Sequence, residues 1–334
     1  DSVAAAILHG RLLRRLALGL FVMCAAAAMK VPSDWQREWP RTDFSNRSVE
    51  LSEIADGGPS KDGIPAIDGP EFLSIDGAYP IELGQHEPVI GFAHNGDARA
   101  YPLRILMRHE IVNDTVGGLA VAVTYCPLCN TSIVFDRNLD GLELSFGTTG
   151  KLRKSDLVMC DRQTESWWQQ YSGRAIVGAL NGKVLSARPS RLLSLTEFRR
   201  QYPDGKMLIP PVHGADIYNN PYENYDTRGR PLGFFDGDLP DNIRPMARVV
   251  AVGDHAWSLD YVRNQRRIEV DDLVLSWTSC QNSALDERNI SRGEDVGNVV
   301  VQRMTDSGPQ DVVYFVTFAF AFHAFHPESR IVTD

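Results

Sequence analysis

The chain contains few cysteines, no excess of basic residues and no common catalytic motif in complete form. Each of these shortages argues against a class of protein. Five cysteines among 334 residues are too few for a small scaffold that is held together by disulfides, and a chain of this length does not need them to fold. A net charge of −9 argues against nucleic acid as a partner. The hydrophobic content of 43% is that of a globular protein.

One apolar segment, Leu16 to Ala28, is shorter than the roughly 20 residues that a membrane-spanning helix needs. Basic residues between Arg11 and Arg15 precede it and polar residues follow it, which is the order found in a secretory signal peptide. We therefore predict a cleaved signal at residues 1–28, a periplasmic or extracellular location, and no integral membrane span after cleavage. Cys24 could be lipidated, but the residues before it are large, so we prefer ordinary cleavage.

Three common catalytic motifs are missing or incomplete. The chain has no Gly-x-Ser-x-Gly sequence, which many serine hydrolases carry at the nucleophile. The segment Gly147-Thr-Thr-Gly150-Lys151 lacks the glycine spacing of a phosphate-binding loop, so no nucleotide cofactor is expected. In His109-Glu-Ile-Val-Asn113, asparagine stands where a helical zinc protease has its second histidine. None of these three chemistries is indicated.

The sequence contains a single Cys-x-x-Cys motif, formed by Cys126 and Cys129 after a strand-like run that ends at Tyr125. Two thiols on one tight turn suit a soft metal ion, a reversible disulfide or a structural staple. β-Branched residues follow the motif, so a strand is expected there rather than the helix of thioredoxin-type sites. A site with four cysteines would have to recruit Cys160 and Cys280, which lie far from the pair in sequence.

His109 is the candidate for a third ligand beside Cys126 and Cys129. It precedes the pair across a predicted turn, where an antiparallel neighbour could bring its imidazole to the thiolates. Copper or zinc would accept this set of nitrogen and sulfur ligands. Further residues could orient the imidazole or line a pocket, and these are Asp97, Asn113, Asp114, Tyr125, Asp161, Arg162 and Trp167.

The pattern of short apolar runs and turns predicts a mainly β (α+β) fold with few short helices. Asn95-Gly96 between two alternating runs predicts a hairpin. Short helices are expected at residues 102–108, 163–171 and 195–202, and a buried strand at 318–326. Residues 29–70 are rich in turn formers and predict an extended lead-in without a strong helix, followed by one domain at 71–334.

Two parts of that domain, residues 79–205 and 240–334, have similar sequence patterns. In both, an apolar run, a Gly-Asp turn and an aromatic residue lead to a leucine, Leu103 or Leu259. The strand before Cys126 matches Leu273–Trp277, so Thr278 and Gln281 take the places of the two cysteines. Asn282-Ser283 is matched in the same way with Asn130-Thr131. Two duplicated β-meander units packed as one globular body are therefore expected, unless the likeness is only that of hairpins in general.

Several motifs also resemble an exported family of bacteria and archaea that is catalogued only as a domain of unknown function (DUF3179). The resemblance extends over about residues 60–330 and implies export and a shared Cys-x-x-Cys, with Cys126, Cys129, His109 and Asn113 at matching positions. It supplies no activity. Cys160 and Cys280 depart from the pattern and could form an accessory disulfide. The matching motifs are Arg99–Pro102, His109–Asp114, Tyr125–Asn130, Ser155–Met159, Asp161–Trp168, Asn220–Tyr222 and Tyr225-Asp226.

The sequence thus leads to two functional hypotheses. The first is an exported protein that binds a thiophilic metal, copper ahead of zinc, or cycles a thiol pair, through Cys126 and Cys129. The second is a binding or scaffold module, without catalysis, in which the same cysteines form a permanent disulfide. The sequence leaves open whether the protein is an enzyme.

Overall fold

The described part of the chain is mainly β with short helices, which confirms the predicted fold class. The computed structural model describes residues 31–211 and 218–334, so the predicted signal peptide and Cys24 lie outside the described residues. None of the helices in these ranges has both the length and the apolar character needed to cross a bilayer. The helices are α1 (Ser33–Glu38), α2 (Leu103–His109), α3 (Leu195–Gln201), α4 (Leu259–Gln265) and α5 (Ala319–Phe325).

The strands are numbered in chain order. Those before residue 180 are β1 (Ile54–Asp56), β2 (Ile67–Asp68), β3 (Phe72–Ser74), β4 (Pro88–His94), β5 (Asp97–Pro102), β6 (Ile111–Val116), β7 (Leu119–Cys126), β8 (Thr131–Asp136), β9 (Asn138–Leu139), β10 (Leu142–Glu143), β11 (Phe146–Arg153), β12 (Asp156–Asp161), β13 (Trp167–Gln169) and β14 (Arg174–Val177). Those after it are β15 (Ala187–Arg188), β16 (Arg191–Ser194), β17 (Lys206–Leu208), β18 (Arg248–Val252), β19 (His255–Ser258), β20 (Arg267–Val270), β21 (Leu273–Thr278), β22 (Asn298–Thr305), β23 (Gly308–Asp311), β24 (Phe315–Phe318) and β25 (Ile331–Val332).

Two sheets from different parts of the chain share one strand order. In the first, β4 and β5 form a hairpin, β16 pairs antiparallel with β4, and β17 pairs parallel with β5. In the second, β18 and β19 form the hairpin, β24 pairs antiparallel with β18, and β25 pairs parallel with β19. A helix directly follows β5 and β16 in the first sheet, and β19 and β24 in the second. Both sheets therefore have one topology, apart from β3 at the edge of the first.

A second pair of sheets repeats this correspondence. The order β15-β8-β7-β6 in one matches the order β23-β22-β21-β20 in the other. Cys126 pairs with Thr131 across β7 and β8, and Thr278 pairs with Asn298 across β21 and β22. Thr278 therefore takes the place of Cys126, as the sequence predicts. The predicted match of Ser283 with Thr131 is wrong, because residues 279–297 form a long connection before β22 begins.

We propose from this shared order that the two predicted repeats are copies of one unit. Strand β16 contacts β22, and β24 contacts β8, so the two units meet through equivalent strands. The first unit carries an insertion between β8 and β15, which contains β9 to β14. Strands β11 to β14 of the insertion form a separate sheet together with β1. The insertion is the largest departure from symmetry, and it supplies part of the candidate site.

Local sequence explains the hairpins and helices that were predicted correctly. Asn95 and Gly96 have φ angles of 47° and 79°, which is the left-handed pair that a tight hairpin turn requires. The predicted helices near residues 102–108 and 195–202 are α2 and α3. The Ser194 hydroxyl accepts a 3.3 Å hydrogen bond from the Glu197 N–H and so caps α3.

Two segments take a different structure from the one predicted. The helix expected at 163–171 is wrong, since Trp167–Gln169 is strand β13, and both tryptophans are buried because that strand is covered on both faces. The strand expected at 318–326 is also wrong beyond Phe318, where α5 begins. Four consecutive residues of α5, Ala319–Phe322, are buried. A helix enclosed on most sides loses the amphipathic pattern by which helices are recognised.

The segment before the domain packs on the inserted sheet. The ring centroid of Trp167 lies 5.0 Å from that of Trp35, 4.9 Å from Trp39 and 5.2 Å from Phe44. Trp35 belongs to α1, a short helix that the sequence did not predict. Burial of four aromatic side chains together stabilises this attachment. The lead-in therefore anchors the sheet that carries part of the candidate site.

Candidate metal centre

The two thiols lie on the tight turn between β7 and β8. Cys126 is the last residue of β7, and Thr131, its pairing partner, opens β8. Asn130 has a φ of 53°, and its side-chain oxygen accepts a 3.1 Å hydrogen bond from the Tyr125 hydroxyl. A strand follows the motif, as the sequence predicts, and the turn holds Cys126 and Cys129 on one side.

Asp156 completes a cluster of three buried side chains with the two cysteines. The potential ligand atoms of Cys126, Cys129 and Asp156 all lie within 4.8 Å of one another. Asp156 opens β12, directly after a turn in which Lys154 and Ser155 have φ angles of 55° and 61°. The Ser155 carbonyl oxygen lies 3.3 Å from the Cys129 sulfur and 3.9 Å from the Cys126 sulfur. Two soft sulfur atoms and two oxygens thus converge in a water-excluded place.

The two oxygens of the Asp156 carboxyl have different surroundings. Oδ2 accepts a 2.7 Å hydrogen bond from the Gln169 side chain and a 2.8 Å bond from the Tyr171 N–H. Oδ1 has no nitrogen or oxygen partner among the described residues, and the two thiols are the groups that act on the carboxyl from the cluster side. The Ser155 hydroxyl and the Tyr171 hydroxyl also have no partner there. Buried polar atoms rarely lack partners, and fixing one carboxylate oxygen to leave the other free is how proteins orient metal ligands.

Burial raises the pKa of each acidic group in this cluster. It raises the pKa of both thiols, that of Cys129 more than that of Cys126. It also raises the pKa of Asp156 to about 7, although hydrogen bonds from Gln169 and Tyr171 act in the opposite direction. The thiols therefore keep their protons near neutral pH unless a positive charge compensates for the thiolates.

A further buried acid, Glu110, stands next to the cluster. Burial, and then the charge of Asp156, raise the pKa of Glu110 to about 8. Glu110 follows α2 with a φ of 58°, and its carbonyl accepts a 2.8 Å hydrogen bond from the Tyr125 N–H. In the second unit Arg266 takes the same place with a φ of 62°, and its carbonyl accepts from the Trp277 N–H at 2.9 Å. The second unit thus has a cation where the first has an acid, and no cysteine pair.

Aromatic side chains cover the cluster. The Tyr171 ring stacks on Phe325 with centroids 4.1 Å apart, and the Tyr225 hydroxyl donates a 2.9 Å hydrogen bond to the Leu128 carbonyl. The sulfur-bearing residues Cys126 and Cys129 are 2% and 0% exposed as a result. A large partner therefore cannot reach either thiol in this conformation.

His109 does not belong to the cluster of potential ligand atoms, in which Asp156 is the third residue. Its Nδ1 lies 2.8 Å from the Pro65 carbonyl oxygen, and its ring is 6.2 Å from that of Tyr218. Burial lowers the pKa of His109, so the neutral imidazole is favoured. The structure thus gives His109 a hydrogen-bonding role at the end of α2, beside Glu110.

Two of the predicted supporting residues, Asp97 and Asp114, form a polar network on β5 and β6, and a third, Asn113, makes a separate contact. The Tyr101 hydroxyl and Arg99 each donate a 2.6 Å hydrogen bond to Asp114. Arg99 also donates to Asp97 at 2.7 Å. Asn113 joins the first unit to the insertion, because its amide donates to the Phe146 carbonyl at 2.8 Å and accepts from the Phe146 N–H at 2.9 Å. These contacts fix the strands that precede the thiol turn.

The remaining three predicted residues lie in the insertion, outside the cluster. Asp161 accepts a 2.9 Å hydrogen bond from the indole N–H of Trp168. Arg162 donates to Asp68 at 2.8 Å and lines a cavity of about 180 Å³ that also contains Cys160. Trp167 packs among the aromatic side chains of the lead-in. The cavity beside Arg162 fits the pocket hypothesis for this segment, which stays a prediction.

Asp156 and Glu110 are the site residues that sequence reasoning missed. Asp156 stood inside one of the motifs shared with the family, Ser155–Met159, which was the signal that could have identified it. Glu110 stood directly beside His109, and only the backbone conformation after α2 decides which of the two side chains faces the thiols. Nothing in the sequence spacing reveals that choice.

Comparison with known proteins gives a family without an activity. A family profile described as a protein of unknown function (DUF3179) matches residues 61–329, a span that includes Glu110, both thiols and Asp156. No curated protein and no solved structure is significantly similar to the chain. The matched span is most of the sequence, and we conclude that the chain belongs to the DUF3179 family.

Proposed function

We propose that this protein binds one thiophilic metal ion through Cys126, Cys129 and Asp156, with zinc preferred over copper. The observation that carries the proposal is the convergence of these three buried ligand atoms within 4.8 Å of one another. The free oxygen of Asp156 and the hydrogen bonds that hold its other oxygen support the same conclusion. Because burial raises the pKa of both thiols, metal binding should release protons and should strengthen as pH rises.

The identity of the third ligand changes the preferred metal. Copper was favoured from the sequence because a site of thiolates and an imidazole suits a soft ion. A carboxylate is a harder ligand, and zinc accepts cysteine sulfur together with aspartate oxygen. The Ser155 carbonyl lies close enough to both sulfurs to add a fourth ligand, a second oxygen, to the set. The hydrogen bond to Pro65 occupies only Nδ1 of His109 and leaves Nε2 as the nitrogen that could ligate, but His109 lies outside the cluster and would become a ligand only if its ring moved toward the thiols.

Metal content of the full chain tests this proposal. The protein is purified without chelator, and bound metals are counted by plasma mass spectrometry. We expect about one equivalent of zinc, the stoichiometry of a single closed site. The Cys126→Ser and Asp156→Asn variants should lose it, whereas Cys160→Ser should retain it. Cys160 is a suitable control because it is also a buried free thiol in the described structure.

Two results would contradict the proposal. The first is a wild-type protein that takes up neither zinc nor copper after reduction and dialysis against each metal. The second is an Asp156→Asn variant with full metal content and unchanged affinity, which would leave the thiols as ligands and remove Asp156 from the set. A folded His109→Ala variant that loses the metal would restore the ligand predicted from the sequence.

Reversible thiol chemistry is the second candidate function, and one observation favours it. Burial raises the pKa of Asp156 to about 7, and Asp156 lies beside the thiol pair, where its carboxylate is placed to act as a general base while a thiol reacts. Both cysteines are free thiols, which supports metal or redox chemistry over the permanent staple. Burial of both sulfurs favours the metal, since a protein partner cannot attack either one directly.

The reduction potential of the pair separates the two candidates. A redox site should oxidise reversibly to a Cys126–Cys129 disulfide within the range of known thiol oxidoreductases. A permanent disulfide should resist reduction. In a metal site, bound zinc should protect both thiols from oxidation. We also propose that the protein acts outside the cytoplasm, because residues 1–28 predict a signal peptide. Cell fractionation of the tagged protein tests this location.

A further inference from the structure

A groove of about 550 Å³ lies on the outside of the turn that carries Asp156. Lys154, two residues before Asp156, forms part of its wall, and the end of α5 forms another part. Acidic side chains are prominent in it, so the groove attracts cations more than anions. The acidic residues are Asp236, Asp238 and Glu53, of which Glu53 is ion-paired with Arg153, and Lys154 is the one lysine or arginine of the described lining.

Two stacked rings stand between the cluster and this part of the surface. Tyr171 is bound to Asp156 through its backbone N–H at 2.8 Å, and its buried hydroxyl has no partner among the described residues. Phe325 covers the other side of the Tyr171 ring, with centroids 4.1 Å apart and planes inclined by 13°. Phe325 is only partly buried, and its neighbour Ala324 lines the groove. Phe315 and His326 also pack on Tyr171, at 5.2 and 6.0 Å between ring centroids, so Phe325 is the nearest of these three rings.

Lys154 fastens this pair to the Asp156 turn. Its ammonium group donates a 2.5 Å hydrogen bond to the Ala324 carbonyl and lies 5.0 Å from the centre of the Phe325 ring. The contact also places a positive charge at the C-terminal end of α5, where it is favourable. The helix itself is held in place by the fully buried rings of Phe320 and Phe322. Phe325, which is only partly buried, is thus the phenylalanine of this helix with the most room to move.

We propose that Phe325 and Lys154 form a lid over the thiol cluster, and that the acidic groove is the route by which a metal cation reaches Cys126, Cys129 and Asp156. The proposed metal route rests on the proposed function, because that function identifies the cation that would use the groove. The lid itself does not, because a small reagent that enters from the groove must pass the same rings. Opening requires the Lys154 contact to break and the Phe325 ring to leave Tyr171.

Alkylation of individual cysteines in the full chain tests the lid. The reduced, chelator-treated protein is exposed to iodoacetamide, and the rate at each cysteine is followed by mass spectrometry. In Phe325→Ala and in Lys154→Met, we expect Cys126 and Cys129 to react roughly tenfold faster, as the loss of an aromatic or cation contact implies. Cys160 is buried and Cys280 exposed, and their rates should not change.

Matched controls separate the lid from general loosening. Phe235→Ala removes a ring of the same groove that packs on Phe320 at 5.0 Å instead of on Tyr171. Lys183→Met removes a lysine whose ion pair with Asp140 is exposed. Neither should accelerate the reaction of Cys126 and Cys129. If both lid variants react at the wild-type rate, or if Cys160 accelerates equally with the pair, the lid is refuted.

Zinc uptake by the same variants tests the route separately. Uptake should be faster in Phe325→Ala while the affinity at equilibrium stays the same, because the ligands are untouched. Lid-dependent alkylation in a protein that binds no metal would refute the proposed function and keep the lid. Metal binding with unchanged alkylation and uptake rates would keep the function and refute the lid.

Discussion

The backbone N–H of Phe318 donates a 3.0 Å hydrogen bond to the carbonyl oxygen of Cys129. The hydroxyl of Thr317 donates to the same oxygen at 2.9 Å and lies 2.9 Å from the Thr131 hydroxyl. Strand β24 of the second unit thus holds the thiol turn of the first. The position of Cys129 depends on residues almost two hundred positions later in the chain.

Replacement of Thr317 with valine tests this support. Valine keeps the shape but removes a buried donor from the Cys129 carbonyl, so the free energy of unfolding should fall by about 1–2 kcal/mol. Metal affinity should fall as well, because the turn loses one of its restraints. Urea denaturation and a zinc competition titration measure the two effects. Thr227→Val, at an exposed hydroxyl, is the control, and equal effects in both variants would contradict the prediction.

Gln169 should be a positioning residue for Asp156. Its amide donates the 2.7 Å hydrogen bond to Oδ2, so Gln169→Leu should leave the carboxyl held only by the Tyr171 N–H. We expect a loss of about 10–100-fold in metal affinity, the usual effect of removing such a contact. Gln163→Leu changes an exposed glutamine of the same insertion and should bind normally. Unchanged affinity in Gln169→Leu would show that the backbone alone fixes Asp156.

The stability of the metal-free protein should fall as pH rises. The pKa of Asp156 is raised to about 7 and that of Glu110 to about 8, so the folded state holds protons that the unfolded state releases. This contribution is complete below about pH 4 and is lost as pH rises toward 8. We expect a decrease in the free energy of unfolding of at least about 2 kcal/mol between pH 5 and pH 8.

Denaturation with chelator and with zinc measures this dependence. Asp156→Asn, which has no proton to lose at this position, should show a smaller decrease than the wild type. Zinc should reverse the trend, because rising pH favours the deprotonated ligands. Identical pH profiles for the wild type and Asp156→Asn without metal would contradict the raised pKa.

A second pH effect, of opposite sign, is expected at Asp97. Although burial acts to raise it, hydrogen bonds from Arg99 and the Gly117 N–H bring the pKa of Asp97 down to about 2. Its contribution to stability is therefore present above about pH 4 and lost between pH 4 and pH 2. Asp97→Asn should cost about 1–2 kcal/mol at neutral pH and little at pH 2. Asp204→Asn, at an exposed position, should be neutral at both pH values.

The thiol half of the candidate site followed from the sequence because it is local. Cys126 and Cys129 lie on one turn, and the β-branched residues after them predicted the strand. Asp156 could not be placed in the same way, since its approach depends on how the inserted sheet folds back. That approach uses left-handed conformations at Lys154 and Ser155, which neither residue type signals. The oxygen half of the site is a product of tertiary structure.

In the fold, too, the elements with local sequence signals were predicted and those that depend on distant segments were not. The hairpin at Asn95-Gly96 and helices α2 and α3 have local signals, and they were predicted. The helix α5 has none, because Phe320 and Phe322 are both enclosed and the periodicity is lost. Tertiary burial also decided the strand at Trp167, where the lead-in supplies the second covered face. Errors thus fell where distant segments supply the environment.

The bond between β24 and the thiol turn also has a consequence for how the protein is made. Synthesis runs from the N-terminus, and the early parts of a chain can begin to fold before the rest exists. Cys129 cannot gain its two donors until Thr317 and Phe318 have been added and β24 has docked. Until then Cys126 and Cys129 are accessible to oxidants and to disulfide formation with Cys160. The order of folding, and not only the finished structure, therefore decides whether the thiols arrive in the reduced state that a metal requires.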